Sequence, residues 1–387
     1  MKKVLVFGAG QIGRGFIGEL CYDSGYFIVF VDIDEKIIDL LNKEKKYTIN
    51  LLGEKKEEKI IENFVAIPLK NENEVIKEII ETDIIFTAVG AKNLPSLSKI
   101  IAKGIKEKSK KEGSFLNIII CENLLKASEV LKEAILKENI LSESEIEYLQ
   151  KNVGFVETVI SRMTSPLTEE EKNKNPLCVK VEPYKILPVD KNGFKIKIPE
   201  ITGFFPVDNL KKYEELKLFG HNLSHVCLAY YGFLKKLTYI WECIEDGEIF
   251  DLLVNVQNEV KYALNKKYNF RKDELEEYFK DLNKRFDNKL LGDTISRVGR
   301  EVLRKIGKNE RIVGAINLCL EYGIFPENIC FVLATALCYN NFLDKECEEL
   351  QNIINKKGIE FVLKEICGVE NEKIEKKVKE IYKKLKK

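Results

Sequence analysis

The sequence predicts an α/β protein in which an N-terminal doubly wound parallel sheet precedes a mainly α-helical C-terminal domain. Three observations carry this expectation. Apolar runs of strand length alternate with helical periods through the first half of the chain. The first of these runs feeds a glycine-rich turn that opens a helix. From about Asn209 onward the pattern is almost wholly helical, with no second turn of that kind. At 387 residues the chain exceeds the usual reach of one hydrophobic core, so two domains are expected, 1–195 and 196–387.

The first strand, Val4-Leu5-Val6-Phe7, runs into Gly8-Ala9-Gly10-Gln11-Ile12-Gly13. In such a turn the first glycine permits the tight bend and the second lets backbone N–H groups approach a pyrophosphate. The third allows the helix to pack closely on the strand with its N-terminus towards the phosphates. A second strand, Phe27 to Val31, ends in Asp32, 19 residues after Gly13, where a carboxylate would accept hydrogen bonds from an adenosine ribose. Capping of the next helix is the plainer use of an Asp there. Ile33 and Asp34 add no cation that could pair with a 2′-phosphate, so the expected cofactor is NAD on a Rossmann-type domain.

Further strand runs at Asp83 to Val89 and Leu116 to Cys121 end in Gly90 and in Glu122-Asn123. Ligands of open α/β sheets gather at the carboxyl ends of strands, which directs Gly90 and Asn123 towards the cofactor crevice. The cofactor-binding set is thus Gly8, Ala9, Gly10, Gln11, Ile12, Gly13, Asp32, Val89 and Gly90. Between the strands, residues 35–43 read as a helix, 47–53 as part of a small hairpin and 164–176 as a surface loop. Short strands are expected at 177–181 and 194–198, before Pro199, Gly203 and Pro206 punctuate the entry to the helical region.

Composition narrows the function classes. Sixty-three basic and 62 acidic residues nearly cancel, so there is no overall attraction to nucleic acid or to a membrane surface. No apolar run reaches the ~18 residues of a membrane span, and the chain opens on a strand rather than a secretion signal. Ten singly scattered cysteines, several in apolar runs, read as reduced core thiols of a cytoplasmic protein. With only two histidines, His221 and His225, and no Cys-x-x-Cys pair, metal-independent chemistry is expected. A monomer acting on a small molecule is the expected working form.

The stretch Lys217-Leu-Phe-Gly-His-Asn-Leu-Ser-His225 is the candidate catalytic segment. On an α-helix Asn222 lies about 140° and His225 about 80° round from Lys217, so an ammonium, a carboxamide and an imidazole can share one broad face. By itself the pattern also suits a surface helix with a solvated Lys, a capping Asn and a core His.

In order along the chain, Gly8 to Gly18 with Arg14-Gly15-Phe16-Ile17, Ala88-Val89-Gly90, Cys121-Glu122-Asn123, Val153-Gly154-Phe155-Val156 and the Lys217/Asn222/His225 triplet resemble the polyol-specific long-chain dehydrogenases of the mannitol dehydrogenase family. Val207-Asp208-Asn209-Leu210, Ala229-Tyr230-Tyr231-Gly232 and Arg297-Val298-Gly299-Arg300 look like the members acting on mannitol 1-phosphate. The resemblance spans nearly the whole chain. It implies NAD-dependent, metal-independent, reversible oxidation of mannitol 1-phosphate to fructose 6-phosphate. By resemblance Lys217 is the general acid/base, Asn123 and Asn222 form the oxyanion hole and His225 supports them. A lysine partly desolvated in a cleft has a lowered pKa suited to that role, and carboxamide N–H groups can hold an oxygen that gains charge.

A phosphate needs a cationic cradle. Arg297, Arg300, Arg304 and Lys305 are the substrate-binding candidates, and the family's polyol-contacting Arg and Lys match Arg297 and Lys305. On one continuous helix Arg297 and Arg304 would lie within about 20° of each other and Arg300 about 60° away; a solvated charged face is the plainer reading. Where the family commonly shows Val-Asp-Arg-Ile, this chain has Ile160-Ser161-Arg162-Met163, and Asp287-Asn288 follows Arg285-Phe286 where relatives often have Asn-Pro. The lost carboxylate leaves room for a phosphate or a uronate carboxylate on the substrate. A hexuronate reductase acting on tagaturonate or fructuronate is therefore the alternative, and a non-catalytic NAD-dependent sensor the second.

Overall fold

The computed structural model describes residues 2–341 and 343–386. The chain forms two compact units, Met1–Leu210 and Lys211–Lys387. The first holds twelve strands: β1 (Lys3–Phe7), β2 (Phe27–Asp32), β3 (Tyr47–Leu52), β4 (Lys56–Ile61), β5 (Phe64–Pro68), β6 (Ile84–Thr87), β7 (Leu116–Ile120), β8 (Val153–Glu157), β9 (Thr164–Ser165), β10 (Val179–Val181), β11 (Leu187–Asp190) and β12 (Phe204–Val207).

Six of them make an all-parallel sheet in the order β5-β2-β1-β6-β7-β8. Counted within that sheet the order is 3-2-1-4-5-6, the doubly wound arrangement whose direction reverses beside β1. Its strands are apolar on both faces because both are covered. Val4 and Val6 of β1 join a core with Phe30, Leu41 and Tyr47, whereas Leu5 and Phe7 join a separate core with Val75, Ile101 and Leu131. The crossover helices include Glu35–Glu44, Glu72–Glu81, Ser98–Lys108 and Ala127–Lys137. Asp34 caps the first of these through Lys36 N and Ile37 N, so the capping role that competed for Asp32 falls two residues later.

The hairpin β3-β4 is present, and it belongs to a four-stranded sheet ordered β4-β3-β10-β9. Two local expectations change. Residues 164–176 are not a plain loop: they supply β9 and a short helix, Glu169–Lys174, closed by a capping box between Thr168 and Glu171. Residues 194–198 form no strand. Their neighbour Gly193 passes so close to β8 that an added Cβ would lie 2.6 Å from Phe155 O, and Lys195 N donates to the Asn117 side chain rather than to a ladder. The pairing segments lie on either side instead, with β11 parallel to β12. That pairing carries residues 196–210 with the first unit, so the division falls after Leu210 rather than after residue 195.

In the second unit the helix Leu223–Leu234 is the centre of the core, with Val226 to Tyr230 at most 1% exposed. Against it pack the helices Ile240–Glu245, Gly247–Tyr268, Ile295–Gly299 and Glu327–Cys338. All ten cysteines are buried, and none is paired. No helix among the described residues is long and apolar enough to cross a membrane.

One charged group inside the first unit is fully enclosed. Glu19 bonds Arg162 Nη1 at 2.6 Å, with both side chains at 0% exposure, and Lys59 and Lys185 reach it at 3.1 and 2.7 Å. Burial raises its pKa, but the three cations outweigh that and hold the carboxyl below its ordinary range. Its contribution to stability is therefore present above the unfolded carboxylate pKa and is lost as pH falls through the folded value. Glu19→Ala, which strands the Arg162 guanidinium, is expected to destabilise the chain by about 3–5 kcal/mol, read as a lowered midpoint in urea. The loss should shrink as the pH is lowered into the carboxylate range.

Candidate active site

The turn after β1 is held from three sides. Gly8 has φ +100, and a Cβ there would lie 2.2 Å from Ala88 O; a Cβ on Gly13 would lie 1.8 Å from Gly8 O. Both positions thus exclude every side chain. A Cβ on Gly10 would meet nothing within 4 Å, so this glycine keeps open space of the kind a pyrophosphate needs to approach the backbone. Gly13–Ile17 forms a wide turn in which Gly18 N donates to Gly13 O, five residues back. Asp32 Oδ2 accepts from Ala9 N at 2.6 Å and Oδ1 from Asp34 N at 2.9 Å. A carboxylate has further lone pairs for ribose hydroxyls, so Asp32 both braces the turn and presents an acceptor beside it. Gln11 and Ile12 are half-buried at the start of the helix. These residues fit a dinucleotide.

Arg14 was absent from the expected set, yet it secures the turn. The buried guanidinium donates from Nε to Ala9 O at 2.6 Å and from Nη1 to Leu177 O, tying the loop to the segment before β10.

At the carboxyl ends of β6 and β7 the expected residues meet a carboxylate that sequence reasoning passed over. Val89 N and Gly90 N donate to the two oxygens of Glu122, at 2.8 and 2.9 Å. The strand-end amides are thus engaged by the protein. Burial lifts the Glu122 pKa, against the pull of the two amides. Asn123 is exposed directly after it, and Ser161 is buried next to Arg162.

In the second unit Lys217 and Asn222 lie within Leu216–Asn222, which is a π-helical segment, not an α-helical one: Leu223 N donates to Leu218 O, five residues back. The wider turn brings residues five apart to within about 50° of each other, and this corrects the 140° of an α-helix. Lys217 and Asn222 share a face more closely than α-helical spacing allows. Desolvation, followed by the charge of Arg311 and opposed by Glu214, lowers the Lys217 pKa to about 8. His221 is buried and held neutral, mainly by burial and then by the charge of Arg285. His225 stacks on Phe286 with ring centroids 5.0 Å apart, and its Nε2 lies 2.8 Å from Asp293 Oδ2. Among the described residues no three His, Cys, Asp or Glu side chains converge as a metal site would require.

The cationic stripe is not one helix. Ile295–Gly299 ends at Arg300, whose ψ is 159°, and Glu301 takes a left-handed φ of +59° before Val302–Lys305 begins. The helical angles expected between Arg297, Arg300 and Arg304 therefore do not apply. Arg297 pairs with Asp293, at 2.6 Å from Nη2; Arg304 pairs with Glu301 and, at 3.2 Å, with Glu310. The Lys305 amine is buried and donates to Val298 O at 2.7 Å and to Arg300 O. Burial, then Arg311 and Arg304, lowers its pKa to about 7. Arg311, nearly buried and 3.0 Å from Glu310, carries the charge that acts on both lysines. No motif announced it. Asp293 was legible in principle, four residues before Arg297 on a helical spacing.

A doubly wound sheet with a glycine-rich turn at its switch point, followed by a helical unit carrying a desolvated lysine, is the architecture of a two-domain polyol dehydrogenase. The chain belongs to the mannitol dehydrogenase family: residues 2–203 match the Mannitol dehydrogenase Rossmann domain and residues 209–386 the Mannitol dehydrogenase C-terminal domain. It is 38% identical over 372 residues to a mannitol-1-phosphate 5-dehydrogenase of Caldanaerobacter subterraneus, covering 96% of this chain and 95% of that one. A mannitol-1-phosphate 5-dehydrogenase of Bacillus subtilis is 38% identical over 368 residues, covering 95% of each. Among solved structures, a D-sorbitol dehydrogenase superposes with a TM-score of 0.84 at 16% identity, over 99% of this chain and 93% of that one. The Pseudomonas fluorescens mannitol 2-dehydrogenase complex with NAD and D-mannitol gives 0.77 at 17% identity, over 100% and 92%.

The two glycines offer a test of the turn. Gly13→Ala is expected to lower the thermal midpoint and abolish dinucleotide binding together. Gly10→Ala should leave the midpoint within about 1 °C, since the Cβ enters open space, while weakening NADH binding measured by fluorescence titration. Undiminished NADH binding by Gly10→Ala would show that the open space serves something else.

Proposed function

We propose that this protein is an NAD-dependent polyol-phosphate dehydrogenase that interconverts mannitol 1-phosphate and fructose 6-phosphate, with Lys217 as general acid/base. The observation that carries the reading is an excess of positive charge around a lysine of lowered pKa. The charges acting on Lys217, Lys305 and Arg311 include those of Arg300, Arg304 and, for the two lysines, Arg311, offset in part by Glu214, Glu301 and Glu310. An imbalance of that kind in a partly desolvated region is unfavourable until an anion enters, and a phosphate supplies up to two negative charges and several acceptor oxygens. The 36–39% identical relatives are mannitol-1-phosphate 5-dehydrogenases, which supports the same substrate class.

NAD, held by Gly8, Ala9, Gly10, Gln11, Ile12, Gly13 and Asp32, supplies the hydride acceptor when bound. The remaining work belongs to side chains. In the oxidative direction the neutral Lys217 amine takes the hydroxyl proton; in the reductive direction the ammonium returns it to the carbonyl oxygen. Asn222 donates its carboxamide N–H to that oxygen as charge grows on it, and the family resemblance gives Asn123 the same role. Arg300, Arg304, Arg311 and Lys305 hold the phosphate, Arg311 taking the place that sequence reasoning gave to the stripe alone. Anion binding also favours protonation of Lys305, since it offsets the cations that depress its pKa.

The deciding assay offers purified enzyme NADH with fructose 6-phosphate, fructose, tagaturonate and fructuronate in parallel. Selective turnover of fructose 6-phosphate is expected, abolished in Lys217→Ala with NADH binding retained; preference for a uronate would overturn the substrate. Because Lys217 acts as a base in oxidation, kcat for mannitol 1-phosphate should rise with pH through about 8, and the reductive rate should fall over the same range. Arg311→Met is expected to move both limbs to higher pH by removing the charge that depresses Lys217. It should also raise KM for fructose 6-phosphate about tenfold or more, the loss of one charge-assisted contact, with KM for NADH unchanged.

A further inference from the structure

Asp293 bridges two side chains of the second unit, His225 and Arg297. It precedes the helix Ile295–Gly299 by one cap residue, and its side chain is 10% exposed. Oδ2 lies 2.8 Å from His225 Nε2, and Oδ1 accepts Arg297 Nε at 2.8 Å and Nη2 at 2.6 Å. Burial alone would raise its pKa, but His225 and Arg297 outweigh burial and keep the carboxyl below its ordinary range. An ionised carboxylate has acceptors only. The hydrogen in the contact with His225 must therefore come from the imidazole, which leaves the lone pair of the neutral ring on Nδ1. Phe286, stacked at 5.0 Å and 29°, limits rotation of that ring.

We propose that Asp293 is a positioning residue: it fixes His225 as the Nε2–H tautomer, so that Nδ1 is the acceptor offered to a substrate hydroxyl, and it anchors Arg297 on the same carboxylate. The substrate half of this inference rests on the dehydrogenase reading above; the tautomer half does not. One carboxylate thus sets the register between a hydrogen-bond acceptor and a cation, and a substrate carrying hydroxyls is read against both. Asparagine at this position keeps the volume but can turn an NH2 towards either partner, which removes the preference for one tautomer and leaves Arg297 without its counter-ion.

The chain contains only two histidines, so the long-range 1H–15N spectrum of full-length, histidine-labelled protein shows two rings. In the wild type His225 is expected to give the Nε2–H pattern. In Asp293→Asn that pattern should be lost or mixed, while the buried His221 ring keeps its own and serves as a control for folding. With fructose 6-phosphate, Asp293→Asn should lower kcat/KM by about tenfold or more, as for partners that orient a ligating imidazole, leaving KM for NADH unchanged, and Asp293→Glu should restore part of it. An Nδ1–H tautomer in the wild type would overturn the proposal even if the variant failed to fold. So would an unaltered His225 pattern in a folded Asp293→Asn. Failure of the wild type to turn over fructose 6-phosphate would instead sink the substrate assignment and leave the tautomer result standing.

Discussion

Taking the Lys217 ammonium out of water beside the Arg311 guanidinium is the constraint around which the second unit is built. A fall in pKa from 10.5 to about 8 corresponds to roughly 3 kcal/mol against the protonated amine. Such a penalty persists only where the surrounding packing holds the lysine in place, and here it issues from a π-helical turn joined directly to a deeply buried helix of the unit. The same turn brings Asn222 round to the lysine. Backbone geometry and acid/base strength are thus set by one local departure from α-helix.

Nearby carboxylates decide what the cations do. Asp293 takes Arg297 and His225, Glu310 is shared by Arg304 and Arg311, and Glu301 takes Arg304 from a left-handed backbone position. The Lys305 amine is held by two carbonyl oxygens instead and keeps its charge only weakly at neutral pH. In the first unit, by contrast, the enclosed carboxylate Glu19 is met by three cations, two of which, Lys59 and Lys185, also pair with Asp23.

Much of this was legible in the residues. The order of strand, glycine turn and helix at Val4 to Gly13 marks the turn, because the close approaches at Gly8 and Gly13 leave no room for a Cβ. Asp32 was legible as the end of β2, and Lys217, Asn222 and His225 as a polar set within an apolar segment. Other features were hidden. The π turn has no separate sequence signature, so α-helical spacing misjudged Asn222. The break at Arg300-Glu301 interrupts a charged run whose regular spacing reads as continuous helix, although Gly299 directly precedes it. Arg311 and Glu122 act through partners distant in sequence, and Phe194 to Ile198 alternate like a strand but find no edge to pair with.

By itself, then, the sequence determined the doubly wound sheet, the helical second unit, the dinucleotide turn and the identity of the candidate base. These follow from local sterics and from hydrophobic periodicity, which operate over a few residues. The tertiary structure alone decided the lowered pKa of Lys217, the pairing of the cations, the orientation of His225 and the membership of residues 196–210. Those are settled by desolvation, by charge–charge contacts and, for residues 196–210, by strand pairing between elements, which depend on where the chain returns in space and not on the spacing along it.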